Sequence, residues 1–337
     1  MKRYYFTDAP IRIFGVPHFE EKRALRRLPN EIAERYRGVY GGWPKVGLRT
    51  PGARMCFRTD SSVLRIGIEL STLYPDVGMS LRACQGAHVL VGNRRDPHYA
   101  GVVYPKDYNE KSFERELTKS PLMEDVTVFL PMAEVIDTVW VEIEDSATME
   151  APTSYRRSLP IAFYGSSITE GAHASRPCNA YTALLSARLD TDYYNFGFSG
   201  SARGDLDIAE YICSLKISAL VIDYDHNAPD PDFLRKTHTP FFRYIREQKP
   251  ALPIVITSRP NFEHTPDAAV RREIIRATYE SALSQGDKNV CFLDGESFYG
   301  REERYLCTTD ATHPNDIGHE RMARAYEATL ARILVNT

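Results

Sequence analysis

The chain has little of what marks secreted, membrane or nucleic-acid-binding proteins. Its six cysteines are Cys56, Cys84, Cys178, Cys213, Cys291 and Cys307, and no two form a C-x-x-C pair. In a cytosolic chain of 337 residues they read as reduced, mostly buried small hydrophobes, so no disulfide framework is expected. None stands at a strand end beside a matching histidine motif, which speaks against a cysteine nucleophile. No run approaches the roughly 20 apolar residues of a membrane span. The N-terminal stretch carries Lys2, Arg3, Asp8, Arg12 and Glu20 without an apolar stretch of leader length, so a cytoplasmic location is expected. Net charge is only −3, which gives no electrostatic case for nucleic acid. The cluster Lys22-Arg-Ala-Leu-Arg-Arg27 reads as one solvated face.

At 43% hydrophobic and 26% charged, the composition is that of an ordinary globular protein. The length suggests about two domains. Residues 1–150 carry a period of two. Val63-Leu-Arg-Ile-Gly-Ile-Glu-Leu70 puts Leu64, Ile66, Ile68 and Leu70 on one face, with Arg65 and Glu69 opposite. Val126-Thr-Val-Phe-Leu130 and Val139-Trp-Val-Glu-Ile143 alternate likewise. Short alternating runs parted by turns such as Gly41-Gly42, Pro51-Gly52 and Gly92-Asn93 predict an antiparallel sandwich. A helical stretch is expected near Glu20 to Arg35, interrupted by Pro29. Residues 151–160 lack periodicity and read as the linker.

From residue 161 the rhythm becomes strand, loop, helix, which predicts a parallel sheet flanked by helices. Thr239-Pro240 and Thr265-Pro266 each read as a cap and first-turn proline opening a helix. Gly286 is placed to end the second of these, and a last helix starts near Asn315. Five apolar runs end next to residues that ester hydrolysis needs. Ile161-Ala-Phe-Tyr164 leads to Ser167, Tyr193-Tyr-Asn-Phe196 to Gly200, and Ala219-Leu-Val-Ile222 to Asn227. Ile254-Val-Ile-Thr257 runs into Ser258-Arg-Pro260, and Val290-Cys-Phe-Leu293 leads on to Asp310-Ala-Thr-His313. Ligands bind outside the carboxyl ends of strands in such sheets, so one crevice would gather these residues.

A serine hydroxyl needs an adjacent base to attack a carbonyl, and His313 supplies it, with Asp310 fixing its tautomer. Gly200 N–H, the Asn227 amide and Ser167 N–H would hold the oxyanion. Arg176 and His226 are the candidate substrate contacts. Taken alone, Ser167 or Gly200 reads as a turn residue, and D-x-x-H is a weak motif. What carries the reading is their joint order along the strands. Asp223, Asp225 and His226 are metal-ligand types standing close together, and His313 could join them. No D-x-H, H-x-H or second acidic cluster accompanies them, so neither a metal nor a cofactor is expected.

Gly165-Ser-Ser-Ile, Gly200, Asn227 and Asp310-Ala-Thr-His313 together resemble the sequence blocks of the SGNH/GDSL hydrolase superfamily. Ser166 replaces the usual Asp, and Asp225-His-Asn-Ala replaces G-x-N-D. Tyr164-Gly-Ser-Ser-Ile-Thr-Glu-Gly171 with Ala174-Ser-Arg-Pro177 resembles a branch bearing an N-terminal β-sandwich. The resemblance implies a jelly-roll-like sandwich followed by a three-layer, flavodoxin-like catalytic domain over residues 161–337, with a five-stranded parallel sheet. It also implies an esterase acting on O-acetylated carbohydrates. A short-chain lipase or thioesterase, or a non-catalytic carbohydrate-binding protein, are the alternatives. The expected partner is the acetylated carbohydrate, with no nucleic acid and no membrane, and a homodimer is left open.

Overall fold

A computed structural model describes residues 1–35, 47–74, 76, 78–260 and 265–336. The expected Gly41-Gly42 turn lies outside the described residues. The chain divides into two compact units. One comprises Met1–Arg156 with Ala174–Asn179, the other Arg157–His173 with Ala180–Thr337.

The first unit is an antiparallel two-sheet sandwich. One sheet has four strands, ordered β1 (Lys2–Tyr5), β9 (Ile136–Ile143), β4 (Val63–Leu70) and β7 (Ser112–Thr118). The other runs β10 (Met149–Glu150), β3 (Arg54–Thr59), β8 (Glu124–Phe129), β5 (Ala87–Val91) and β6 (His98–Val103), with β2 (Arg12–Phe14) added beside β3. Alternation decides which residues meet between the sheets. Leu64, Ile66, Ile68 and Leu70 of β4 and Val139, Val141 and Ile143 of β9 join Met55, Phe57, Val89 and Val128 in one core. A one-residue slip would turn all of these to the other face, so this burial fixes the register. Trp140 takes the opposite face of β9, where the Arg3 guanidinium lies 3.8 Å from its ring centroid. The helical stretch near the N-terminus splits into Phe19–Lys22 and Asn30–Arg35, with Pro29 between them.

The second unit is a five-stranded parallel sheet in the order β12 (Thr191–Gly197), β11 (Arg157–Gly165), β13 (Ala219–Asp223), β14 (Ile254–Thr257), β15 (Val290–Leu293). The order reverses at β11, and such a switch point is where the crevice of a doubly wound sheet opens. β11 begins at Arg157, so the sheet takes up the end of the stretch expected as linker. Pro253 and Asn289 enter the strands through backbone bonds, and the sheet is buried along β13 and β14.

Two helix starts differ from expectation. The helix expected to open at Thr239-Pro240 begins nine residues earlier and runs Pro231–Gln248 with Pro240 inside it. Asp230 caps it by accepting from Phe233 N–H at 2.7 Å, and Pro231 takes the first turn, where its missing N–H costs nothing. Buried Leu234, Phe241, Phe242 and Ile245 hold the helix together past Pro240. The next helix starts at Ala268, and Thr265 accepts the Ala268 N–H at 3.0 Å. Gly286, at φ +84°, lies just beyond its last residue, Ser284. The last helix, Asp316–Ile333, is capped by Asn315, which accepts from Ile317 and Gly318. Among the described residues, no helix is long and apolar enough to cross a membrane, and none of the six cysteines is in a disulfide.

Candidate active site

The strand ends of the second unit place Ser167 first. β11 ends at Gly165, where a Cβ would collide with the Asp223 carbonyl and the Thr169 hydroxyl. Glycine is the residue that lets the chain turn this tightly. Ser166 then caps the short helix Ser167–Glu170, accepting from Ile168 N–H at 3.2 Å. Its role is therefore a cap. Ser167 occupies the first turn, whose N–H groups have no partner within the helix.

Ser167 Oγ lies 2.9 Å from His313 Nε2, and His313 Nδ1 lies 2.7 Å from Asp310 Oδ2. The other carboxylate oxygen, Asp310 Oδ1, accepts from His313 N–H at 2.7 Å and Thr312 N–H at 3.0 Å. Partial burial works against the Asp310 charge. The bonds from His313 and Thr312 outweigh it and lower the carboxyl to about 2. Asp310 is thus an anion at neutral pH, and its contact at Nδ1 turns Nε2 of His313 toward the serine.

Gly200 adopts φ +68°, a region that L side chains rarely enter, and no atom lies within 4 Å of where a Cβ would stand. The strained turn requires the glycine, rather than crowding over the N–H. Glu170 Oε2 accepts the Ser199 N–H at 3.1 Å and also the Ser199 hydroxyl, tying this loop to the nucleophile's helix. Asn195 adds a second tie by donating to Thr169 O at 2.7 Å. Asn227 follows β13 and donates one amide hydrogen to Phe198 O at 2.9 Å. That bond holds the amide and leaves its second hydrogen for another acceptor.

Asp225, of a metal-ligand type, instead meets two buried guanidinium groups. Arg259 Nε lies 3.3 Å and Arg271 Nη1 3.4 Å from its carboxylate. Arg271 also donates to the Asp225 and Ala228 carbonyls, so the pair pins the loop that carries Asn227. His226 Nε2 is enclosed and has no partner among the described residues. Burial, then the charges of Arg259, His313 and Arg271, lower its pKa well below the ordinary histidine value, so it is neutral. Asp223 is fully buried. Burial, helped by Asp225, raises it to about 7 despite hydroxyls from Thr257, Tyr181 and Thr169. Arg176 belongs to the first unit, with its guanidinium 4.3 Å from the Tyr99 ring centroid.

Two further histidines stand near the site: His319, which reads from the sequence as a helix residue at the site's edge and not a ligand, and His173, which the sequence does not single out. His319 Nδ1 accepts from Tyr181 N–H at 3.3 Å, and Nε2 donates to Ala172 O at 3.1 Å. His173 stacks on His313, with ring centroids 4.5 Å apart and planes 19° apart. His173, Asp310 and His313 each bring a potential ligand atom within 4.8 Å of the others. Imidazole lone pairs lie in the ring plane, so two near-parallel rings do not aim at a common point. Their Nδ1 atoms are also engaged by Thr309 and Asp310. This group does not fit a metal.

A doubly wound sheet with a serine, an imidazole and a carboxylate hydrogen-bonded in series at its strand ends is the build of a serine acyl hydrolase. Residues 158–331 match the GDSL-like lipase/acylhydrolase family, and the chain belongs to that family. It is a carboxylic ester hydrolase. Comparison with curated proteins finds no match. Among solved structures, a protein assigned as a GDSL-like lipase from Bacteroides ovatus is similar over 99% of this chain and 98% of its own, with TM-score 0.86 and 23% identity. The salicylyl-acyltransferase SsfX3 of a tetracycline biosynthetic pathway is similar over 99% and 98%, at 0.79 and 24%. An acetyl xylan esterase from Butyrivibrio proteoclasticus is similar over 99% and 98%, at 0.62 and 13%.

Proposed function

We propose that this enzyme removes O-acetyl groups from carbohydrates. The observation that carries the chemistry is the Ser167–His313–Asp310 series, at 2.9 and 2.7 Å. Ser167 Oγ attacks the acetyl carbonyl and passes its proton to His313 Nε2. Ser167 N–H, Gly200 N–H and the second Asn227 amide hydrogen receive the oxyanion. His313 protonates the leaving alcohol, then takes a proton from water, which attacks the acetyl-enzyme and releases acetate. No metal or cofactor enters these steps. The likeness of the whole chain to an acetyl xylan esterase supports the carbohydrate substrate. His226 acts as a contact to sugar hydroxyls in this reading, and cysteines that form no disulfide support a cytoplasmic location.

A second reading is transfer of the acyl group to an alcohol instead of water, supported by the full-length likeness to SsfX3. One experiment separates the two. Acetylated oligosaccharides are incubated with the enzyme, with and without an added alcohol acceptor, and the products are weighed by mass spectrometry. Loss of acetyl groups to free acetate is expected, together with a fall in kcat of about 10³-fold or more in Ser167→Ala. Acetyl appearing only on the acceptor favours transfer. Activity retained in Ser167→Ala overturns both.

A further inference from the structure

Two hydrogen bonds hold the edge of the His313 ring, with Ser167 at Nε2 and Asp310 at Nδ1. Neither contact touches a face of the ring. The torsion onto a planar imidazole is broad, so small tilts of the ring within those bonds cost little. Something must press on a face of the ring, and His173 does so at 4.5 Å between centroids.

His173 is itself fixed at both ends. Its Nδ1 is hydrogen-bonded to Thr309 Oγ1, from the same loop as Asp310 and His313. Thr309 N–H closes that loop by donating to His313 O at 3.0 Å. On the other side, His173 stands three residues past the end of the nucleophile's helix, and the Ala172 carbonyl before it is held by buried His319. The residue also has φ +65°, an uncommon backbone region for any residue with a Cβ. A side chain kept where glycine would be easier needs a reason.

We infer that His173 is a positioning residue, which clamps the His313 ring in the plane shared by Ser167 and Asp310 through its stack and its bond to Thr309. This rests on the esterase reading above. The segment that delivers the nucleophile thereby also sets the attitude of the base.

His173→Gly tests it, because glycine suits φ +65° and removes the ring. With 4-nitrophenyl acetate, kcat should fall about 10- to 100-fold, the scale of a displaced catalytic group, with KM within about twofold. Melting temperature should not fall by more than about 2 °C, since only a half-exposed side chain is lost. Thr309→Val should lower kcat less, and should add nothing on top of His173→Gly, because it acts through the missing ring. Wild-type kcat in His173→Gly overturns the inference. So does a kcat loss matched by a large fall in melting temperature, or additive effects of the two substitutions. Should the glycine variant fail to fold, His173→Asn tolerates the same backbone and is read by the same criteria. Loss of activity in Ser167→Ala with none in His173→Gly overturns this inference alone. Activity kept in Ser167→Ala removes the esterase reading beneath it.

Discussion

Two aspartates of the hydrolase unit are pushed in opposite directions by their surroundings. Asp310 stands in a half-exposed loop and falls to about 2, whereas Asp223 ends a buried strand and rises to about 7. Burial opposes the charge in both, so burial alone does not decide the outcome. The difference lies in the donors. Two backbone N–H groups and an imidazole point at Asp310, all at 3.0 Å or less. Asp223 meets the hydroxyls of Tyr181 and Thr169 at 3.4 and 3.5 Å, and its neighbour Asp225 is itself a carboxylate. Fixed, short donors make an anion that can orient a base. Distant hydroxyls leave a carboxyl that holds its proton near neutral pH.

The largest test of this contrast is Asp310→Asn. The amide preserves the shape but favours the wrong tautomer of His313, so kcat should fall by about 10³-fold or more with folding intact. A loss below tenfold in steady-state kinetics would erase the functional half of the comparison.

Asp223→Asn should leave kcat within about threefold at pH 7, and its effect should appear in stability. The folded value near 7 lies above the unfolded value of about 3.9. The folded state therefore holds an extra proton between these values. The stability this supplies is full below about pH 4 and is lost as pH rises through about 7. The variant should melt about 2–5 °C higher than wild type at pH 8, with the gap narrowing at pH 5 and closing toward pH 4. Equal gaps at both pH values, read by calorimetry, would show that Asp223 does not titrate in this range.

The smallest expected effect is that of chelation. Exhaustive dialysis against EDTA should change activity by less than about twofold, because Asp310 is poised by N–H groups and not by a cation. A loss restored by zinc or manganese would transfer the explanation to the His173, Asp310 and His313 group.

The alternation along β4 and β9 was legible because each strand buries one face, and period two survives any tertiary detail. The site order was legible because each residue follows its own strand. Pro240 misled because Asp230-Pro231 and Thr239-Pro240 offer the same local start signal. Only the buried face from Leu234 to Ile245 selects between them. Asp225 looked like a ligand because its partners, Arg259 and Arg271, arrive from the loop after β14 and the helix beyond it. His173 carried no signal, since a stack onto His313 depends on a backbone turn that sequence does not display.

The bond between Ser167 and His313 spans 146 positions of the chain. Contacts that close so long a loop come late in folding, after local helices and hairpins have formed. During synthesis the serine emerges well before its base. A nascent chain that has not yet made His313 therefore has the nucleophile but not its base. Recovery of esterase turnover after dilution from denaturant should lag behind far-ultraviolet circular dichroism, and the lag times the docking of the loop before the last helix.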